Sequence, residues 1–200
     1  MGGVVPTLRT DRLVLEPVTD AHLPLLVTLN ADPEVMAFIS RRPATLEETA
    51  AEWRQRLDHQ SDPARGLGYW VGRLDGEFEG WWSASAFEGE PALAGLGYRL
   101  ARRAWGRGLA TEGARAMVEQ AFADAKVQMV SASTMAVNTG SRRVLEKVGL
   151  RHTGTWVQEW DDPIQGWEQG EVRYNLTRDE WAARVGPLPD SSVVRPGFSG

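Results

Sequence analysis

The period of the apolar positions changes repeatedly along the chain, and those changes mark out its elements. Ala110, Ala114, Met117, Val118, Ala121 and Phe122 follow the spacing of one helix face, predicting a helix over about 109–125. Upstream, Asp20 opens a helix to Asn30 with Leu23, Leu26 and Val27 inward, and Asp32-Pro33 opens a shorter one. Thr45-Leu46-Glu47-Glu48 is a capping box for a helix to about Gln60, lined by Trp53 and Leu57. Leu8 to Val18 alternates as a first strand. Runs of β-type and small residues at 66–73, 78–87 and 92–100 are divided by Asp75-Gly76 and Glu88-Gly89-Glu90-Pro91, the pattern of an antiparallel meander. A strand over 127–135 precedes a helix introduced by Asn138-Thr139-Gly140-Ser141 and stopped by Gly149. Strands over 151–160 and 166–176, then a capping box at Thr177-Arg178-Asp179-Glu180, close the pattern. The fold class is α+β, a mixed central sheet flanked by helices.

Composition narrows the picture. The chain has 200 residues, 42% of them hydrophobic and 24% charged, which suits a single domain over 1–185. Residues 186–200, GPLPDSSVVRPGFSG, read as a loosely attached tail. A net charge of −5 argues against a surface that coats nucleic acid. The absence of Cys excludes disulfides, thiolate metal sites and a cysteine acyl-enzyme, and fits a reducing cytoplasm. No run is long and apolar enough to span a membrane. The expectation is a cytoplasmic monomer or homodimer with no metal, nucleic-acid or membrane partner.

The chemistry gathers between Leu96 and Phe122. A predicted strand passes through Arg102-Arg103-Ala104-Trp105-Gly106-Arg107-Gly108 into the helix. The first amides of a helix lack intrahelical acceptors, and with the positive end of the dipole they form an anion site. Arg102, Arg103 and Arg107 add charge. A dinucleotide fingerprint needs Gly where Thr111 stands, and a P-loop needs Lys-Ser/Thr after its last Gly, where Ala114 and Arg115 follow Gly113. What remains is another kind of phosphate or pyrophosphate turn, or a tight strand-to-helix turn that needs glycine for its backbone alone.

The pattern Arg103-x-x-Gly106-x-Gly108, followed by Leu109-Ala110-Thr111-Glu112, resembles the coenzyme A loop of the Gcn5-related N-acetyltransferase (GNAT) superfamily. The block from Asn138 to Leu150 is similar to the Asn-x-x-Ser-x-x-apolar-Leu-Glu-Lys-apolar-Gly block of its ribosomal-protein N-terminal acetyltransferase-like (RimJ/RimL-type) branch, which typically begins with a sequence like Arg9-Thr10-Asp11-Arg12-Leu13. The resemblance covers Leu96 to Gly154. It implies the GNAT fold, with splayed central strands, and transfer from acetyl-coenzyme A to a primary amine. It also implies that amides around Arg107, Gly108, Leu109, Ala110 and Thr111 take the pyrophosphate. The pantetheine arm lies along the strand ending near Leu100, whose N–H polarises the thioester carbonyl. Asn138 contacts the arm, Ser141 sits near the departing sulfur, and Arg142 or Arg143 reaches the adenosine phosphates. Asn138 and Ser141 also suit a plain helix cap.

The acceptor half is less defined. His22, His59 and His152 lie away from the motifs and read as surface or packing residues. Glu88, Glu90, Glu159, Asp161, Asp162 and Glu168 sit in or beside loops, and none is singled out as a base. Nine Trp residues include Trp81, Trp82, Trp156, Trp160 and Trp167. Trp81, Trp82 and Trp160 are the candidates for an aromatic wall around a cationic amine, with core filling as the alternative.

Overall fold

The computed structural model describes residues 5–157 and 163–185. The described strands are β1 (Leu8–Arg9), β2 (Val14–Pro17), β3 (Gly68–Leu74), β4 (Glu77–Ala86), β5 (Leu93–Leu100), β6 (Met129–Met135), β7 (Arg151–Trp156) and β8 (Glu171–Thr177). The helices are α1 (Leu23–Asn30), α2 (Pro33–Met36), α3 (Leu46–His59), α4 (Leu109–Ala123), α5 (Thr139–Lys147) and α6 (Arg178–Val185). The strands form one sheet in the order β1-β2-β3-β4-β5-β6-β8-β7. Only β5 and β6 pair in parallel; the other neighbours are antiparallel. No described helix is long and apolar enough to cross a membrane.

Alternation along the strands sends side chains to two different layers. Trp70, Trp82, Ala84, Leu96, Leu100, Val130, Ala132, Val172, Tyr174 and Leu176 build the main core with the apolar side of α4 and with Leu145 of α5. Gly113 lets α4 approach: a Cβ there would lie 2.4 Å from Nε1 of Trp82. That indole nitrogen donates to the carbonyl of Ala110 at 3.3 Å. The other face of β3 and β4 carries Tyr69, Val71, Phe78 and Trp81 into a second core with Leu26, Leu29, Val35 and Trp53. Over β6 and β8 this second face is more open, with Ser133 and Arg173 exposed and Ser131 and Asn175 half-buried, whereas on β5 Gly97 is half-buried and Gly95 and Arg99 are buried.

The central irregularity matters most. β5 and β6 pair only at Leu93–Met129, Ala94–Val130 and Gly95–Ser131. Beyond that row the two strands part, leaving a V-shaped slot through the sheet.

Three local expectations are corrected. The first strand is instead the hairpin β1–β2, turned by Thr10, whose amide donates to the carbonyl of Leu13 at 3.0 Å. Asp20 does not cap α1: Thr19 starts a 3-10 turn at Asp20–His22, and α1 begins at Leu23. Residues 166–170 are not strand, because Gly166 and Gly170 adopt φ of 83° and 78° around a 3-10 turn. The two capping boxes are present, at Thr45 with Glu48 and at Thr177 with Glu180. The predicted tail and part of the predicted 151–160 strand lie outside the described residues.

Candidate active site

The slot has a polar edge. Ala101 donates its N–H to the carbonyl of Glu79 on β4, and Leu100 stands opposite Gly80. Successive residues of an antiparallel pair face alternately toward and away from their partner. The N–H groups of Tyr98 and Leu100 therefore face away from β4 and into the slot. The carbonyl of Leu100 accepts from Nε1 of Trp105 at 3.0 Å.

At the wide end of the slot stands the start of α4. Gly108 is its N-cap with φ 80° and ψ −3°, and Gly106 has φ 71°. Both left-handed conformations favour glycine. The first intrahelical bond of this turn runs from the Glu112 amide to the Gly108 carbonyl, so the amides of Leu109, Ala110 and Thr111 lack helical acceptors. No atom lies within 4 Å of a Cβ built on Gly106, and Nη2 of Arg12, at 3.5 Å, is alone within that distance at Gly108. The loop surface is bare.

The loop arginines have carboxylate partners beneath them. Arg102 pairs with Glu34 at 2.8 Å. Arg103 and Arg107 flank the buried carboxylate of Glu79 at 3.6 and 3.5 Å, and Arg103 also donates to the carbonyl of Phe78. All three stay exposed.

Glu112 ties this turn to the start of the chain. Its Oε1 accepts from the Thr10 hydroxyl at 2.5 Å and the Arg12 amide at 2.8 Å, and its Oε2 accepts from Arg12 Nε at 2.7 Å. Arg12 also donates to the carbonyl of Arg107 at 3.0 Å. Burial pushes the Glu112 carboxyl up, but the Thr10 and Arg12 bonds outweigh it and its pKa lies below the usual value. A depressed folded-state pKa gives stability that is present above the unfolded Glu value near ~4.3 and is lost as pH falls through the folded one. Glu112→Gln is expected to cost about 2 kcal/mol at neutral pH and to flatten the acid limb of stability, read by denaturant unfolding between pH 7 and 3.

The second motif block closes the slot from the other side. Asn138 caps α5, its Oδ1 accepting from the Ser141 amide at 3.0 Å. The Ser141 side chain is not part of that cap: its Oγ lies 3.0 Å from the hydroxyl of Tyr98, which also donates to the Ser141 carbonyl at 3.1 Å. Burial pushes the Tyr98 hydroxyl up to about 12, against the lowering effect of the Ser141 bond. The sequence motifs do not mark Tyr98, which lies 43 residues upstream of Ser141. The available signal was a hydroxyl-tipped ring on the otherwise apolar Leu96–Leu100 face. Arg142 is turned inward, donating to the Tyr174 hydroxyl and the Ala136 carbonyl at 3.1 Å each, while Arg143 is exposed.

The tryptophans depart from the aromatic wall. Trp82 is fully buried under α4, and Trp81 is 4% exposed, edge-on to Trp53 at 5.4 Å with Arg56 over its ring at 5.0 Å. Both rings fill cores, because each strand face here is covered by helices. Trp160, Glu159, Asp161 and Asp162 lie outside the described residues. Trp156 is half-buried with the Arg173 guanidinium over it at 5.1 Å. Glu88, Glu90 and Glu168 are exposed, and His152 leans on the Tyr174 ring at 5.5 Å. Among the described residues no group of three His, Asp or Glu is arranged to hold a metal ion.

Residues 12–151 match the family model described as an acetyltransferase (GNAT) domain. The FsC-acetyl coenzyme A-N(2)-transacetylase of Aspergillus fumigatus is 37% identical, over 97% of this chain and 86% of its own. Two solved structures share the fold at a TM-score of 0.70: RimL, a ribosomal alpha-N-protein acetyltransferase with coenzyme A, and spermidine N-acetyltransferase from Vibrio cholerae with coenzyme A and spermine. They are 18% and 16% identical, cover 88% and 85% of this chain, and are covered over 99% and 98% of their own. With its slotted sheet and the bare turn at Gly108, the chain belongs to the GNAT acetyltransferases and is an acetyl-coenzyme A-dependent N-acetyltransferase.

Proposed function

We propose that the enzyme passes the acetyl group directly to a primary amine in a ternary complex, with the acceptor amine of the N(2) kind named for its Aspergillus fumigatus relative. The observation that carries the donor half is the slot between β5 and β6 leading to the open helix start at Gly108. There the amides of Arg107, Gly108, Leu109, Ala110 and Thr111 take the pyrophosphate, and Arg102, Arg103 and Arg107 supply charge. The pantetheine arm bonds the exposed edge of β5 as an added strand, reaching Asn138 across the slot. The N–H of Leu100 or Tyr98 polarises the thioester carbonyl. Ser141, backed by Tyr98, faces the departing sulfur, and Arg143 is placed better than Arg142 for the adenosine phosphates. The amine comes from the open face, so attack and departure occur on opposite sides of the sheet. The agreement of both motif blocks supports the RimJ/RimL-type branch.

Thiol release from acetyl-coenzyme A tests the acceptor, using L-lysine, spermine, glucosamine and a peptide with a free N-terminus. The expected product is N(2)-acetyllysine, identified by mass spectrometry of the fragments. Acetylation confined to spermine or to the peptide would overturn the N(2) assignment. No amine-dependent release by a folded, coenzyme A-binding protein would favour an acyl-coenzyme A sensor.

A further inference from the structure

The bend of the N-terminal hairpin carries a cation to the bare turn at the start of α4. Arg12 lies between β1 and β2, and its guanidinium is held against that turn by three contacts. Nε donates to Glu112 Oε2 at 2.7 Å, Nη2 lies 2.6 Å from the same oxygen, and Nη1 donates to the Arg107 carbonyl at 3.0 Å. A guanidinium has five N–H groups, so these contacts leave two of them without a partner. The side chain is 45% exposed. Its Nη2 stands 3.5 Å from a Cβ built on Gly108, and the Glu112 carboxylate is not within 4 Å of that point. The positive member of the pair is therefore the one nearer the turn. Arg102 and Arg103 stand differently. Neither comes within 4 Å of a Cβ on Gly106 or Gly108, and each leans toward a carboxylate, Glu34 or Glu79. Arg107 shares the buried Glu79 with Arg103.

Resting on the reading of this turn as the pyrophosphate site, we infer that Arg12 is a ligand of the coenzyme, its two free N–H groups donating to phosphate oxygens beside the amides at the start of α4. A planar guanidinium meets such oxygens through two parallel bonds, which a point charge cannot do. Glu112 and the Arg107 carbonyl already fix the side chain, so little rotamer freedom is left to lose when the anion arrives. Glu112 is then the positioning residue that aims the fork, and the N-terminal hairpin becomes one wall of the donor site. The pyrophosphate and the 3′-phosphate of the adenosine offer the same chemistry. The place of Arg12 at Gly108, the N-cap of α4, favours the pyrophosphate.

Calorimetry with coenzyme A, dephospho-coenzyme A and pantetheine tests this on the full chain. Arg12→Gln is expected to weaken both nucleotide ligands by about tenfold at low ionic strength and to leave pantetheine unaffected. That loss should shrink as salt rises, because a contact between charges is screened. Arg12→Lys keeps the charge without the fork and is expected to recover part of the loss. Thermal unfolding of the free proteins checks that both variants fold. A loss that is the same at every ionic strength, with no recovery in the Lys variant, would make Arg12 a brace of the turn and overturn the assignment. A loss seen with coenzyme A but not with dephospho-coenzyme A would move the contact to the 3′-phosphate and overturn it equally, as would unchanged binding by Arg12→Gln. Failure of the unmodified protein to bind coenzyme A removes the reading of the turn itself.

Discussion

Gly108→Glu is expected to weaken acetyl-coenzyme A binding by at least a hundredfold, about 2.7 kcal/mol, while the chain remains folded. Two effects add. The residue sits at φ 80°, so any side chain costs about 1–2 kcal/mol of backbone strain at the turn that aims the amides. The new carboxylate also stands at the positive end of α4, where it would occupy the proposed pyrophosphate position and repel that group. The fold tolerates the change because a Cβ at Gly108 meets only the Arg12 guanidinium, at an ordinary 3.5 Å. Gly108→Ala separates the two effects, since it keeps the strain and omits the charge. The Ala variant is expected to bind within about tenfold of the parent, a difference of 1.4 kcal/mol, by calorimetry. Equal binding by all three proteins would move the pyrophosphate away from this turn.

The loop and helix of the proposed donor site were legible in the sequence because they are set mainly by backbone conformation. Gly106 and Gly108 are read directly as positions that permit left-handed φ, and the period of Ala114, Met117, Val118, Ala121 and Phe122 gives the helix they open. The slot was not legible from period at all. It depends on where β5 and β6 stop pairing, and nothing in Leu96–Leu100 or Ala132–Met135 distinguishes an unpaired strand from a paired one. The splay came from the resemblance. Trp81 and Trp82 illustrate a second limit. Alternation correctly sent them to opposite faces, but it carries no information about which face α1 and α3 cover. Long-range polar pairs were the least visible. Thr10 and Arg12 meet Glu112 across about a hundred residues, and Tyr98 meets Ser141 only because β5 and α5 flank the same slot. A sequence motif marks such residues as related without saying that they touch.

That last contact supports the second large prediction: Tyr98→Phe should lower kcat by one to two orders of magnitude, about 1.4–2.8 kcal/mol, with acetyl-coenzyme A affinity unchanged. The two hydroxyls lie 3.0 Å apart, so loss of the phenol leaves Ser141 Oγ without its partner and free to rotate. The raised pKa defines the role. A phenol at about 12 is a weaker acid than a thiol near ~8.5, so transferring its proton to the leaving thiolate is uphill by about 5 kcal/mol. Under the proposed transfer, Tyr98 would act as a hydrogen-bond donor that stays protonated and orients Ser141 toward the sulfur, with the thiolate taking its proton from solvent. Two outcomes follow from that sign. The kcat of the parent enzyme should show no falling limb between pH 8 and 10, whereas an ordinary tyrosine acid near ~10 would begin to turn it down there. Ser141→Ala should lose about as much turnover as Tyr98→Phe, and the double variant little more, because the pair acts as one unit. Additive losses would make the two hydroxyls independent. Unchanged turnover in both single variants would leave Ser141 a residue of the α5 start and Tyr98 a strut across the slot.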